Sequence, residues 1–157
     1  MAPATPPTVR DLSPRDEERW RSLYSAYRVF YRLPEDARAV DTTWRWVVGR
    51  EHSLFGLVAV DSADSPVALA NLRWFARPST GTIGLYLDDL YTDESRRGQG
   101  AGAALLARAG QLAGEHGASV VRWITATDNT AARRVYDAHA VATQWVTYDM
   151  PPGASAL

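Results

Sequence analysis

The chain has 157 residues, the length of one ordinary domain, and 46% of them are hydrophobic, which is enough for a packed core. Its formal net charge of -1 provides no general attraction to nucleic acid or to anionic lipid, so we expect neither as a partner. Cysteine is absent, which excludes disulfides, a thiol nucleophile and thiolate metal sites. All 17 basic residues are arginine, so a P-loop lysine and Schiff-base chemistry are excluded as well.

The two ends of the chain differ in composition from its middle. Small residues and prolines at 1–7 and 151–157 cannot bury much surface, so we expect loose tails there and a single domain at 8–150. No apolar run approaches the ~20 residues that span a bilayer, and the first ten residues lack the apolar stretch of a signal peptide. We therefore expect a cytoplasmic protein with no membrane partner.

Two helices are predicted first. Ser13 and Pro14 are typical of a helix start, and aromatic and apolar residues between 20 and 30 recur at steps of three and four, which indicates an amphipathic helix. Pro34 ends this helix, and a second one is predicted at 36–48.

The hydrophobic period then changes to that of strands. Three β-rich runs separated by turn residues predict an antiparallel meander, and a helix followed by a strand then forms a βαβ unit. One more helix and a final strand complete the chain. The predicted elements are strands at 54–61, 67–77 and 82–92, a helix at 100–116, a buried strand at 119–126, a helix from 128 or 129 to 138, and a strand at 143–150.

The segment between the third strand and the next helix carries the most specific pattern. It contains Arg97 and three alternate glycines, Gly98, Gly100 and Gly102, directly before the apolar stripe of a helix. Glycines let backbone N–H groups approach an anion closely, and the first helical turn adds roughly half a positive charge. The pattern predicts a ligand that carries a pyrophosphate.

Two other interpretations of these glycines exist. Gly98, Gly100 and Ala103 match the dinucleotide fingerprint G-x-G-x-x-G/A, but that motif follows the first strand of a dinucleotide fold, and here it comes late in the chain. The glycines could also form an ordinary tight turn between exposed arginines. Three alternate glycines together with Arg97 argue against that simpler interpretation.

A second segment places Asn129, Ala132 and Tyr136 on one face of the last predicted helix. An amide, a small residue and a phenol in a row could line a long, thin ligand. Taken alone, the same residues are equally typical of a helix cap and of the edge of a core.

Together the two segments resemble the GNAT superfamily of acetyl-CoA-dependent N-acetyltransferases. Residues 97–102 look like the R-x-x-G-x-G/A pyrophosphate loop of that family, and residues 129–136 fit its N-x-x-A-x-x-x-Y pattern. The similarity is closer to spermidine/spermine acetyltransferases, in which an acidic residue occupies the place of Asp88. One departure is Ala140-Val141, where the family usually has Gly-Phe. The resemblance implies an α+β, three-layer fold with a mixed, mostly antiparallel central sheet flanked by helices.

The resemblance also implies a site for acetyl-CoA. The backbone of the strand before the glycine loop would hold pantetheine like an added strand, and a main-chain N–H near Leu90 would stabilise the oxyanion. The implied cofactor-binding residues are Leu90, Tyr91, Thr92, Arg97, Gly98, Gln99, Gly100, Ala101, Gly102, Asn129, Ala132 and Tyr136.

Acetyl transfer to an amine requires two proton movements of different size. Deprotonating an amine of pKa ~10.4 at neutral pH costs about 4.6 kcal/mol, whereas a thiol of pKa ~8.5 costs about 2 kcal/mol. By resemblance, Tyr136 protonates the departing CoA thiolate. Asp88 is the candidate that receives the amine proton, with Asp89 or a water as alternatives. Strand alternation predicts that Asp88 and Asp89 point to opposite faces, so that only one reaches the substrate.

The acceptor is expected to be a small cationic amine. Acidic residues at the strand end favour a cation, and we expect Tyr27, Tyr31, Trp74 and Asp88 to bind it. The three histidines lie far apart in sequence without metal-ligand spacing, so no metal is expected.

The sequence therefore predicts an N-acetyltransferase in which a primary amine attacks acetyl-CoA directly in a ternary complex. Two alternatives are a catalytically silent acetyl-CoA-binding regulatory domain and a protein or peptide N-acetyltransferase. The resemblance is compatible with a homodimer.

Overall fold

The computed structural model of the protein describes residues 5–153. This part of the chain forms a five-stranded sheet with helices on both faces. The strands are β1 (Thr8–Asp11), β2 (Leu54–Val60), β3 (Pro66–Arg77), β4 (Thr82–Thr92) and β5 (Val121–Arg122). The helices are α1 (Glu17–Phe30), α2 (Ala37–Val48), α3 (Ala101–Glu115) and α4 (Thr130–Asp137), and short 3₁₀ turns lie at Pro14–Asp16, Glu51–Ser53 and Glu94–Arg96.

The strands follow each other in the sheet in chain order, from β1 to β5. The first four are antiparallel, and β5 pairs in parallel with β4 after the α3 crossover. This mixed, mostly antiparallel sheet between helical layers confirms the predicted α+β, three-layer fold.

Two hydrophobic clusters hold the layers together, because successive side chains of a strand point to opposite faces. On one face, Leu57 and Leu72 of the sheet pack against Leu105 of α3. On the other face, Val58 packs against Trp20 of α1. All five side chains are almost completely buried, and each buried residue of this kind contributes about 1.5–3 kcal/mol.

Local signals set the ends of the helices. Asp36 caps α2 by accepting a hydrogen bond from the backbone N–H of Ala39 at 3.0 Å. After α3, Gly117 adopts a left-handed φ of +69°, a conformation that terminates helices. Arg32, also left-handed, follows α1 two residues before Pro34. The predicted helices and the meander of three strands are confirmed with only small shifts of their ends.

Two strand predictions need correction, and one strand was missed. The buried strand predicted at 119–126 is reduced to Val121–Arg122, because only these residues pair with β4. The strand predicted at 143–150 is absent, since no neighbouring strand supplies hydrogen bonds to that segment. Finally, β1 was not predicted, although it pairs with β2 along all four of its residues.

The segments at the ends of the described chain have no regular structure. Residues 5–7 and 151–153 are exposed or partly buried. The remaining parts of the two predicted tails, 1–4 and 154–157, lie outside the described residues. None of the described helices is both long and apolar enough to cross a membrane.

Candidate functional site

The site lies where β4 and the segment after β5 separate. β5 pairs with β4 only at Leu85 and Tyr86, whereas β4 continues along β3 as far as Thr92. Within the described chain, the edge of residues 87–92 that faces away from β3 has no strand partner. A groove of about 350 Å³ opens there, with α1 and α4 on its sides. Its lining consists of Tyr27, Tyr31, Leu87, Asp88, Leu90, Trp123, Ile124, Thr125, Ala126 and Tyr136.

An irregularity in the β3–β4 pairing determines which side chains reach this groove. Leu72 of β3 lies opposite Leu87, but its neighbour Asn71 lies opposite Asp89, so Asp88 is an extra residue on β4. A bulge of this kind shifts the alternation of the strand by one residue. Leu87 and Leu90 therefore both pack on the α3 side of the sheet.

The bulge places both aspartates on the other side. The Nε of Arg73 donates a hydrogen bond to Asp88 at 2.9 Å, and the Nδ2 of Asn71 donates one to Asp89 at 2.9 Å. Asn71 and Arg73 are two residues apart on β3 and so share a face. The expectation that Asp88 and Asp89 point to opposite faces is therefore wrong, because it assumed an unbroken alternation.

The two carboxyl groups have different surroundings. Burial raises the pKa of Asp89, and the side chains of Asn71 and Tyr27 offset this only in part. Burial also raises the pKa of Asp88, with the charge of Arg73 acting in the opposite direction. Asp88 lines the groove, whereas Asp89 lies beside the phenol of Tyr27. Asp88 is thus the more accessible of the two.

Tyr136 faces the groove from α4. Its ring meets Trp123 edge-on, with 5.3 Å between the ring centroids, and burial raises the pKa of its phenol to about 12. The phenol therefore remains protonated at neutral pH. Asn129 and Ala132 are partly buried on the same face of the helix. The Nδ2 of Asn129 lies 3.4 Å from the hydroxyl of Tyr31 and so connects α4 with α1.

At the glycine loop and the start of α3, backbone groups rather than side chains form the exposed surface. Gly98 and Gly100 have left-handed φ values of +76° and +86°, and a Cβ built on either would meet nothing within 4 Å. The cap residue of α3 is Gly100, no side chain caps the helix, and its first turn has no acidic residue. Free N–H groups at the beginning of a 15-residue helix fit a diphosphate. These residues therefore suit the expected acetyl-CoA.

Two arginines connect the segment before the glycine loop with α1, Arg97 from the loop and Arg19 from the helix. Arg97 lies over the rings of Phe30 and Tyr91, with its guanidinium carbon 5.5 Å and 5.4 Å from the ring centroids. Arg19 of α1 forms an ion pair with Asp93, the residue directly after β4. Contacts of this kind hold the loop against the first helix.

Asp93 joins the end of β4 to α1 and was not predicted as part of the site. Besides its bond with Arg19, it accepts hydrogen bonds from the backbone N–H and the hydroxyl of Ser95, at 2.9 Å and 2.7 Å. These partners lower its pKa to about 2. The Asp93-Glu94-Ser95 sequence is a signal for such a turn, whereas nothing local identifies Arg19 as a partner.

Five of the predicted site residues line the groove, namely Tyr27, Tyr31, Asp88, Leu90 and Tyr136, whereas Trp74 lies elsewhere. Trp74 packs on the α3 side of the sheet, with its ring centroid 5.8 Å from Phe55 and 4.8 Å from His116. It does not line the groove, whereas Tyr27 and Tyr31 do.

Comparisons with known sequences identify two matches. The model of the acetyltransferase (GNAT) family matches residues 20–140. The D-amino-acid N-acetyltransferase HPA3 of Saccharomyces cerevisiae (strain ATCC 204508 / S288c) is 27% identical over 142 residues, which cover 89% of this chain and 88% of the relative.

Solved structures share the fold. The crystal structure of a probable acetyltransferase has a TM-score of 0.81 at 20% identity, covering 94% of this chain and 99% of that one. The ribosomal-protein-alanine N-acetyltransferase from Brucella melitensis biovar Abortus 2308 has a TM-score of 0.77 at 21% identity, covering 92% and 98%. The chain therefore belongs to the GNAT acetyltransferase family and is an acetyl-CoA-dependent acyltransferase.

Proposed function

We propose that this protein transfers the acetyl group of acetyl-CoA to the primary amine of a small cationic molecule, by direct attack in a ternary complex. The observation that carries the proposal is the convergence of Asp88, Tyr136 and the unpaired edge of β4 on one groove. A carboxylate, a protonated phenol and free backbone groups are the parts that this reaction needs. The absence of cysteine agrees with transfer that has no thiol-bound enzyme intermediate.

The proposed binding site for acetyl-CoA uses backbone groups almost throughout. N–H groups of residues 98–102 would hold the diphosphate, with Arg97 beside them. The edge of residues 90–92 would pair with the pantetheine arm, and a main-chain N–H near Leu90 would polarise the thioester carbonyl. Asn129 and Ala132 would line the far side of the arm. Acetyl-CoA supplies an acetyl group that is already activated as a thioester.

Asp88 is the proposed acceptor of the amine proton. Deprotonating the amine is the larger of the two proton tasks, at about 4.6 kcal/mol for a pKa of ~10.4. A carboxylate of raised pKa accepts a proton more readily than an ordinary one, and the charge of Arg73 limits how far burial raises the pKa of Asp88. Asp89 is engaged by Asn71 and Tyr27, so it serves better as a buried negative charge that attracts the cation.

Tyr136 is the proposed proton donor to the leaving thiolate. Full transfer from a phenol of pKa about 12 to a thiolate of pKa ~8.5 is unfavourable by about 5 kcal/mol. The phenol therefore gives its proton to the thiolate as the thiolate develops. The ammonium group loses two protons in all: Asp88 accepts the first and releases it to water, and the second passes through water to restore the phenol. Its net charge is unchanged after each turnover.

The groove is of a size that suits a small acceptor. Its volume of about 350 Å³ is at the lower end for small-molecule sites, and the rings of Tyr27 and Tyr31 provide faces for an ammonium group. The yeast relative is named for D-amino acids, so amino acids are the first acceptors to test. Polyamines come second, because the position of Asp88 resembles that in spermidine/spermine acetyltransferases.

The proposal can be tested by measuring CoA release with a thiol reagent. The protein contains no cysteine, so it contributes no background to this assay. The acceptors are D- and L-amino acids, spermidine, an aminoglycoside and a peptide with a free N-terminus. Turnover should be highest with a small amine. Acetyl-CoA binding without turnover on any acceptor would identify a silent domain, and turnover on the peptide alone would identify a peptide acetyltransferase.

A pair of tyrosine variants tests the proton donor. Tyr136→Phe should lower kcat by about 100-fold or more, because it removes the phenolic proton without changing the shape of the groove. Tyr86→Phe removes a phenol from β4 outside the groove lining and should leave kcat within a factor of two. Equal rates for the two variants would remove Tyr136 from the mechanism.

A further inference from the structure

The sheet face next to the groove carries two arginines that lie on aromatic rings. Four side chains form this surface, which we name the arginine–aromatic face: Arg73, Phe75, Tyr86 and Arg122. The guanidinium carbon of Arg73 lies 4.6 Å from the ring centroid of Tyr86, and that of Arg122 lies 5.7 Å from the ring centroid of Phe75. The two rings meet edge-on, with 6.0 Å between their centroids. The four side chains therefore form one continuous surface.

The pairing of three strands sets this arrangement. Arg73 of β3 lies opposite Tyr86 of β4, and Tyr86 lies opposite Arg122 of β5. Gly84 leaves room for the ring of Phe75, because a Cβ built at position 84 would lie 2.5 Å from that ring. Neighbouring strands are about 4.8 Å apart, so the backbones of the two arginines are about 9.6 Å apart. Side chains as long as those of arginine can converge over the ring between them.

The two rings hold the arginines rather than a helix. Neither Phe75 nor Tyr86 is part of the two hydrophobic clusters that join the helices to the sheet. Both residues are partly buried, whereas Arg122 is exposed. A ring under a guanidinium group favours one orientation of that group, and a planar guanidinium recognises a carboxylate through two parallel hydrogen bonds. Only the ring of Tyr86 takes part, so Tyr86→Phe keeps the face intact.

The face has a surplus of positive charge beside Asp88. Asp88 accepts its hydrogen bonds from the Nε of Arg73, and no bond within the described part of the chain uses the two terminal nitrogens of that arginine. Arg122 forms none of the ion pairs found among residues 5–153. Burial raises the pKa of the Tyr86 phenol and the charge of Asp88 adds to this, whereas Arg73 and Arg122 oppose it. Three charged groups thus surround one phenol, and two of them are positive.

We propose that Arg122 and Arg73 bind a carboxylate of the acceptor, so that the acceptor is an amino acid in its zwitterionic form. The face opens onto the groove, because Asp88 lines the groove and so does Ile124, two residues after Arg122. The adjacent opposite charges of Asp88 and Arg73 match an ammonium group and a carboxylate carried by one carbon atom. This inference rests on the proposed function, in which Asp88 receives the proton of the amine.

The surplus charge distinguishes amino acids from polyamines. A polyamine carries only positive groups, and the unpaired Arg122 repels any of them that extends beyond Asp88. A carboxylate at the same place gains charge-assisted hydrogen bonds, which are roughly twice as strong as neutral ones. We therefore expect a higher kcat/KM for amino acids than for spermidine.

Kinetics with an amino acid and its amide test the carboxylate contact. Alanine and alaninamide, each as both enantiomers, are compared in the native chain and in Arg122→Gln. Because each variant is compared with the native chain on the same acceptor, the different pKa values of the two amines cancel. Arg122→Gln should lower kcat/KM for alanine at least tenfold and leave that for alaninamide within a factor of two. Arg122 is exposed, so its replacement does not disturb the core.

Arg77→Gln is the matched control. Arg77 lies on the same face of β3 as Arg73, four residues further along the strand, and its Nη1 donates a hydrogen bond to the hydroxyl of Ser119 at 2.6 Å. Its removal changes the net charge by the same amount and should leave both kcat/KM values within a factor of two. Equal losses in the two arginine variants, or equal losses on alanine and alaninamide, would overturn the carboxylate site and leave acetyl transfer intact.

Binding of the product N-acetylalanine tests the site without turnover. In an NMR titration in the presence of CoA, its Kd should rise at least tenfold in Arg122→Gln and stay unchanged in Arg77→Gln. The same Kd in both variants would overturn the site. If this difference in Kd is observed but no amine is acetylated, the carboxylate site is supported and only the proposed function fails.

Discussion

The variant Gly100→Ala should change two quantities for different physical reasons, the Kd for CoA and the thermal stability. Gly100 has a φ of +86° and a ψ of 8°, which is the left-handed region. A Cβ there meets no atom within 4 Å, so Gly100→Ala has no steric conflict with the rest of the protein. The effect on stability comes from the backbone alone. An L-residue in this conformation costs about 1–2 kcal/mol, which lowers Tm by roughly 2–8 °C for a chain of this size.

The effect on CoA binding has a different origin. The proposed diphosphate position is next to the N–H groups of residues 98–102, and the space around Gly100 is open because no side chain fills it. The new methyl group would occupy that space and keep the phosphate oxygens from the backbone. We expect the Kd for CoA to rise at least tenfold, which corresponds to about 1.4 kcal/mol.

Gly81 provides the matched control. It lies in the turn between β3 and β4, has a φ of +63°, and its Cβ would also meet nothing within 4 Å. Gly81→Ala therefore has the same type of backbone penalty at a position away from the groove. It should lower Tm by a similar amount and leave the Kd for CoA unchanged.

Titration calorimetry with CoA and thermal unfolding of the two variants measure both quantities. A raised Kd in Gly100→Ala, together with similar losses of Tm in both variants, supports a diphosphate at the loop. If both variants lose stability and both bind CoA like the native chain, the glycine loop does not hold the diphosphate and the assignment of the cofactor site fails.

Three further predictions concern titratable groups. Burial raises the pKa of Asp89, so ionising this carboxyl group destabilises the fold as pH rises through the folded pKa. In urea unfolding, the Asp89→Asn variant should therefore become more stable than the native chain as pH rises from acidic to neutral. Below pH ~4, where the carboxyl group is protonated in both states, the two proteins should not differ in this way. Asp16 is buried and bonded to Arg10, so Asp16→Ala should lose about 3 kcal/mol in urea at pH 7. With Tyr136 protonated up to a pKa of about 12, kcat/KM should rise between pH 6 and 10 and show no alkaline fall.

Local signals account for the parts of the fold that were predicted well. The Asp36 cap, the left-handed Gly117 and the turns that bound the meander depend on residues a few positions apart, so the sequence pattern contains them. The glycine loop could be predicted for the same reason, because the left-handed conformations of Gly98 and Gly100 depend on the glycines themselves.

Long-range pairings account for the parts that were not predicted. Arg19 and Asp93 are 74 residues apart, and only the fold brings α1 against the end of β4. The strand pattern at 143–150 is present in the sequence, but a strand also needs a neighbour, and none of the described strands pairs with this segment. Similarly, β5 is short because the chain after Arg122 diverges from β4, which opens the groove.

The bulge at Asp88 shows how burial and chemistry are linked in this site. In an unbroken alternation, Leu85 and Leu87 would be followed on the α3 face by Asp89, and a carboxylate in that core would cost several kcal/mol. The extra residue instead puts Leu90 on the α3 face, where it packs with the core. The step of three from Leu87 to Leu90 is therefore a readable signal of the bulge. Core packing alone thus brings both aspartates to the side of the sheet that α1 covers, where the proposed mechanism places its proton acceptor.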